Sequence, residues 1–184
     1  AMIGVADAMG VEAERRRIAS RSKFRTIFSG MDLRRFTEAA RDGALAERLG
    51  ITSEDRVAVT VARLFPLKGH EELLEAFPAI LREEPRAKLL WVGDGILRTQ
   101  LVARARELGV ADRLVLVGLV QPTEVADYLA LSHVLVHLSH REGLPRAVPQ
   151  GFACGLPAVA YPLDGTPEVV LPGQTGCLVE MGDR

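Results

Sequence analysis

Arg63, Lys68, Glu142 and Gln150 are of the kind and spacing that could hold an anionic, polyhydroxylated ligand. Arginine offers phosphate or carboxylate oxygens a planar fork and lysine a mobile point charge, so Arg63 with Lys68 suits a group carrying two negative charges. Taken singly, both are also ordinary loop cations. Glu142 opens the stretch Glu142-Gly143-Leu144-Pro145, and eight positions later Gln150 offers an uncharged amide that accepts and donates hydrogen bonds. Gly143 would let a ligand approach the backbone closely, and Pro145 suits the first turn of a helix, whose free N–H groups and dipole favour negative charge. The plain alternative for Glu142 is that it only complements that helix start, worth ~0.3–1 kcal/mol.

The elements that must position these residues alternate at short spacing. Strands are expected over 56–62, 88–92, 113–117, 133–138 and 158–161, with helices over 70–82, 96–108 and 122–131, and a further helix that starts near Pro145 and closes at Ala153. Such alternation predicts an α/β fold, a Rossmann-like parallel sheet with helices on both faces. Ligands of such sheets gather at the carboxyl ends of the strands. The stretches 63–69, 93–95, 139–145 and 164–168 all follow strands, so four loops converge on one edge. Pro78 and Pro149 fall inside helical stretches, where proline removes a hydrogen bond and crowds the preceding turn.

Two other patterns carry less. Gly93-Asp94-Gly95 is not a dinucleotide fingerprint, because Arg98 occupies the place of its third glycine. His137, His140 and Glu142 raise the question of a metal, but strand residues three apart point to opposite faces, so no metal site is expected. On this reading His140 faces the ligand at the strand tip and His137 belongs to the core or edge.

Glu142-Gly143-Leu144-Pro145, then 153–160, then Gly165-Thr166-Pro167-Glu168-Val169-Val170, resembles the donor-site signature of retaining, nucleotide-sugar-dependent glycosyltransferases with the GT-B fold, glycosyltransferase family 4 (group 1), which carry a Glu-x7-Glu motif. Upstream, 61–69 resembles the family's diphosphate-binding segment, 92–95 its next loop, and 28–32 with Phe36 its interdomain connection. The resemblance implies the C-terminal, donor-binding half of a GT-B enzyme that moves a hexose from a nucleoside diphosphate to an acceptor hydroxyl. It implies Glu142, Arg63 and Lys68 as catalytic, with Gly69, Gly93, His140, Gly143, Leu144, Pro145, Gln150 and Glu168 binding the donor. It implies no cofactor, the cations standing where a metal would. One position departs from the motif: its second glutamate is Gln150 here, which removes a charge from the expected ribose contact. For Glu168 the alternative is a helix-capping role.

Composition sets outer bounds. The 184 residues are 48% hydrophobic and 26% charged with a formal net charge of −1, an ordinary globular profile with no bulk basicity for nucleic acid. Cys154 and Cys177 form no disulfide framework, and a reducing cytoplasm is the expected compartment. Arg15, Arg16, Arg17 and Arg21 form either a solvated helix face or a peripheral contact with the inner face of the membrane. Residues 1–23 are expected to be a remnant of an N-terminal domain and linker helix, and residues 24–184 a nucleotide-sugar-binding domain truncated at its C-terminal end. The acceptor, a glycan, lipid or small molecule, would be held by the missing N-terminal domain. Two other readings stay open: a non-catalytic nucleotide-sugar-binding module, and a GT-B epimerase or phosphorylase.

Overall fold

Short apolar runs rich in valine and leucine bury both faces of a strand, and here they build the centre of the protein. The computed structural model describes residues 1–182, so the last two residues of the expected 24–184 domain lie outside it. In chain order its strands and helices are β1 (Met2–Gly4), α1 (Asp7–Arg15), β2 (Phe24–Thr26), α2 (Arg34–Thr37), α3 (Gly43–Arg48), β3 (Arg56–Val61), α4 (His70–Glu83), β4 (Ala87–Val92), α5 (Arg98–Glu107), β5 (Leu114–Gly118), α6 (Val125–Leu129), β6 (Val134–His137), α7 (Ala147–Ala153), β7 (Ala158–Ala160) and β8 (Gly176–Leu178).

Six strands form one parallel sheet in the order β5-β4-β3-β6-β7-β8. Its residues alternate between two cores. Val57, Val59, Leu90, Val92 and Leu135 pack with Leu129 of α6 and Val148 of α7. Leu89, Trp91 and Val136 pack on the other face with Leu74 and Phe77 of α4 and Leu101 of α5. Helices on both faces and a Rossmann-like parallel sheet are thus as expected. Trp91 is fully buried among them, a core residue.

The chain builds outward from β3 to β5, then returns to lay β6 on the other side of β3. That reversal is a topological switch point. The crevice beyond the carboxyl ends of β3 and β6 is where such a sheet binds ligands.

Several boundaries differ from expectation. The helix after β5 begins at Val125, with Pro122 in the turn before it. α7 begins at Ala147, so Pro145 precedes the helix and lends its carbonyl to Val148 N–H at 3.2 Å. Pro149 is then the third residue of α7, where a backbone N–H has no intrahelical partner to lose. α4 runs through Pro78, because Leu73, Leu74 and Phe77 anchor the preceding turns in the core.

The N-terminal segment forms a separate two-stranded parallel sheet, β1 with β2, which groups 24–26 with the residues before them. Arg15 and Arg16 pair with Glu12 and Arg21 pairs with Asp7, all solvent-exposed, the arrangement of a solvated face. Among the described residues no helix is long and apolar enough to cross a membrane.

Candidate functional site

The loops after β3 and β6 are pinned together at the switch point. Leu67 sits at φ 66, a left-handed conformation that a residue with a Cβ rarely adopts, and its carbonyl accepts from His140 N–H at 2.9 Å. Gly69, which caps α4, sits at φ 74, and a Cβ there would stand 2.3 Å from the Leu138 carbonyl oxygen. Only glycine permits that approach.

Between these loops and the start of α7 lies a cavity of about 350 Å³, lined by Arg63, Lys68, Glu142, Pro145 and Gln150 together with His137 and Arg146. Five of the residues singled out from the sequence therefore meet. Lys68 Nζ is ion-paired with Glu142 Oε1 and lies 3.3 Å from Ser139 Oγ. His137 Nε2 stands 3.8 Å from the same carboxylate oxygen. Burial pushes the His137 ring down to about 4, against the opposing pull of Glu142 and with a smaller push from Lys68, so it is neutral at pH 7. Arg63 lies over the Phe65 ring at 4.9 Å, and neither Arg63 nor Arg146 has an ion-pair partner among the described residues. Three cations and one carboxylate thus line the same cavity. Such a cavity is suited to an anion.

Glu142 does not serve as a carboxylate at the start of α7. It precedes the helix by five positions and points to Lys68, while its own N–H is held by Asp164 Oδ2 at 2.8 Å.

The other expected residues lie outside the lining. His140 projects to the opposite face, 2.7 Å from Glu72 Oε1 and edge-on to Tyr161 at 5.6 Å. Strand parity explains this, since His137 shares the β6 face of Leu135 and so turns toward α7. Gly93, at φ 142, lets the end of β4 approach the Arg63 loop, where a Cβ would stand 2.1 Å from the Ala62 carbonyl oxygen. Gly143 packs against Val5, which an added Cβ would meet at 2.7 Å. Leu144 is half-buried beside Pro145. No group of three or more metal-ligating side chains occurs among the described residues.

Glu168 accepts from the N–H groups of Asp7 and Ala8 at 3.0 and 2.8 Å, the free first-turn donors of α1, whose own cap residue Ala6 has no side-chain acceptor. It caps a helix far away in sequence. Glu168→Ala is expected to lower the unfolding midpoint by the loss of about 1 kcal/mol and to speed amide exchange at Asp7 and Ala8. Unchanged exchange there would place the stabilisation elsewhere.

Sequence reasoning left out Arg146, which lines the cavity; it put His137 in the core or at the edge, and that ring is indeed buried while also lining the cavity. Arg146 was legible as the cation following Pro145, and the cavity position of His137 by its parity with Leu135, given which side of the sheet carries the cavity.

The family model described as Glycosyl transferases group 1 matches residues 43–184. The chain is 31% identical over 139 residues to the N-acetyl-alpha-D-glucosaminyl L-malate synthase of Bacillus anthracis, covering 76% of this chain and 36% of that protein. It is 31% identical over 166 residues to the D-inositol 3-phosphate glycosyltransferase of Segniliparus rotundus, covering 88% of this chain and 37% of that one. The chain therefore spans less than half the length of these relatives. Among solved structures, Anabaena HepE in complex with UDP-glucose superposes with a TM-score of 0.84 at 22% identity, over 98% of this chain and 50% of that chain. Sucrose-phosphate synthase from Thermosynechococcus elongatus superposes at 0.81 and 25% identity, over 98% and 45%. These likenesses match the fold to the C-terminal domain of GT-B glycosyltransferases.

Proposed function

Because this chain belongs to the group 1 glycosyl transferases, we propose that it is the donor-binding part of a retaining, family 4 enzyme that transfers a hexose from a nucleoside diphosphate to an acceptor hydroxyl. Residues 1–23 are read as linker and acceptor-side segment, onto which Phe24–Thr26 pair, and 24–184 as the nucleotide-sugar domain. The observation that carries this reading is the cavity at the switch point, which Arg63, Lys68 and Arg146 line together with Glu142 and Gln150. That HepE was solved with UDP and with UDP-glucose supports a nucleoside diphosphate as the ligand class.

The chemistry follows from which charges must be met. When the bond from the anomeric carbon to the diphosphate oxygen breaks, negative charge grows on the diphosphate and positive charge on the sugar. Arg63 and Lys68, both already at the cavity, stabilise the first. Glu142, released as Lys68 turns to the diphosphate, stabilises the second. The cations hold the diphosphate without a cofactor. Gln150, one helical turn beyond Arg146, is placed to hydrogen-bond the ribose through a neutral amide.

Gln150 also favours a second reading, a nucleotide-sugar-binding module without transfer, since it lacks the carboxylate of the family motif. Transfer by the full-length protein separates the two. Both readings sit in a reducing cytoplasm.

Calorimetry with UDP, GDP and ADP in the presence of a chelator tests the site. At least one should bind, and Arg63→Ala or Lys68→Ala should weaken it about tenfold or more, because hydrogen bonds to charged groups contribute ~1.5–3 kcal/mol. Undiminished binding by both variants would overturn the assignment.

A further inference from the structure

We propose, building on the diphosphate reading above, that Ser139 is the positioning residue for the Lys68 ammonium. Ser139 ends the β6 run and is 3% exposed. Its hydroxyl lies 3.3 Å from Lys68 Nζ, 3.2 Å from the Leu67 carbonyl and 3.2 Å from the Arg141 carbonyl. A hydroxyl has a single proton, which goes to one of those two carbonyls, and a carbonyl cannot donate. Toward the ammonium, Ser139 is therefore the acceptor whichever carbonyl takes its proton.

That arrangement does two things at once. The flexible four-carbon stem of lysine leaves its charge free to wander, and Ser139 fixes the ammonium at the mouth of the crevice. Leu67, the residue before Lys68, is held at its unusual φ of 66 by His140 N–H on its carbonyl, with Ser139 Oγ also in reach. Backbone and side chain of the Lys68 loop are thus both referenced to Ser139.

The neutrality of the hydroxyl matters. An ammonium has three donors, of which Glu142 takes one and Ser139 another, leaving the third for a ligand in the cavity that Lys68 lines. A diphosphate competes with Glu142 for the lysine charge but has no quarrel with a hydroxyl. Ser139 keeps its hold as Lys68 changes partners.

A double-mutant cycle on the 184-residue chain decides the matter, with UDP as probe, or GDP or ADP if one of these binds more tightly. Ser139→Ala should weaken binding about two- to tenfold, because the ligand must then order an ammonium that the hydroxyl no longer holds in place. In a Lys68→Met background the same change should cost less than about twofold. Equal losses in both backgrounds, or none in either, overturn the proposal. Should Ser139→Ala fail to fold, Ser139→Cys, which keeps the buried volume with a weaker acceptor, runs the same cycle. If Lys68→Met alone binds as tightly as the parent, Lys68 does not hold the diphosphate and the Ser139 role falls, while the diphosphate reading itself falls only if Arg63→Ala is undiminished as well. Weakening by Lys68→Met without coupling refutes Ser139 alone.

Discussion

Acidification between about pH 6.5 and about pH 4 is expected to strip several kcal/mol of stability from the fold, because His70 and His137 are both buried and held down to about 4 from an ordinary 6.5. For His70 burial is the main cause and Lys68 adds to it. Its two ring nitrogens have no hydrogen-bond partner among the described residues, and its ring meets Trp91 edge-on at 4.8 Å. The unfolded chain takes up protons at these rings below about pH 6.5 and the folded chain does not, so stability falls as pH falls and levels off only below about 4. Each ring contributes up to ~3 kcal/mol on this account. His133, whose Nδ1 accepts from Val57 N–H at 3.1 Å, titrates in the same direction. Urea unfolding at a series of pH values measures the slope. His70→Phe should remove the His70 share of the slope, about half of it, while leaving stability at pH 7 nearly unchanged, since an apolar ring replaces one that satisfies no hydrogen bond. A flat profile in the parent protein would show that these rings are open to water.

The sheet was legible because its strands are short β-branched and leucine runs set between helices, a pattern that buried parallel strands share. The edge that carries the cavity was legible too, since four loops follow four strands. Other features depend on contacts that spacing does not encode. Lys68 and Glu142 are 74 positions apart, and their pairing arises only because β3 and β6 are neighbours across the switch point. Glu168 was read as either a ligand contact or a cap, and the helix it caps lies about 160 positions upstream. Parity correctly put His137 and His140 on opposite faces, yet the side carrying the cavity depends on where α6 and α7 pack. The β5 to β6 crossover fixes that. Pro145 looked like a helix start because local preference allows it, but the chain needs the extra residues to turn from β6 onto the face of Val148.

In the full-length protein, Glu142→Ala is expected to lower turnover about 100-fold or more, the scale on which removing one fixed electrostatic group acts, while leaving UDP affinity equal or tighter. The two halves of that expectation have one cause. Glu142 holds Lys68, so the carboxylate competes with a diphosphate for the same ammonium. Deleting it frees Lys68, and Ser139 still fixes where the ammonium sits. Affinity for the diphosphate alone then has no reason to fall. Turnover does, because the positive charge that grows on the sugar as its bond breaks loses its counter-charge. His137, neutral and 3.8 Å from the missing carboxylate, cannot replace it. Glu142→Gln keeps the shape and removes the charge, so it should match the alanine variant in turnover. A glutamine variant as active as the parent would show that Glu142 works as a hydrogen-bonding group. A parallel loss of UDP affinity and turnover would show that it works by holding Lys68, and the sugar would then need another partner.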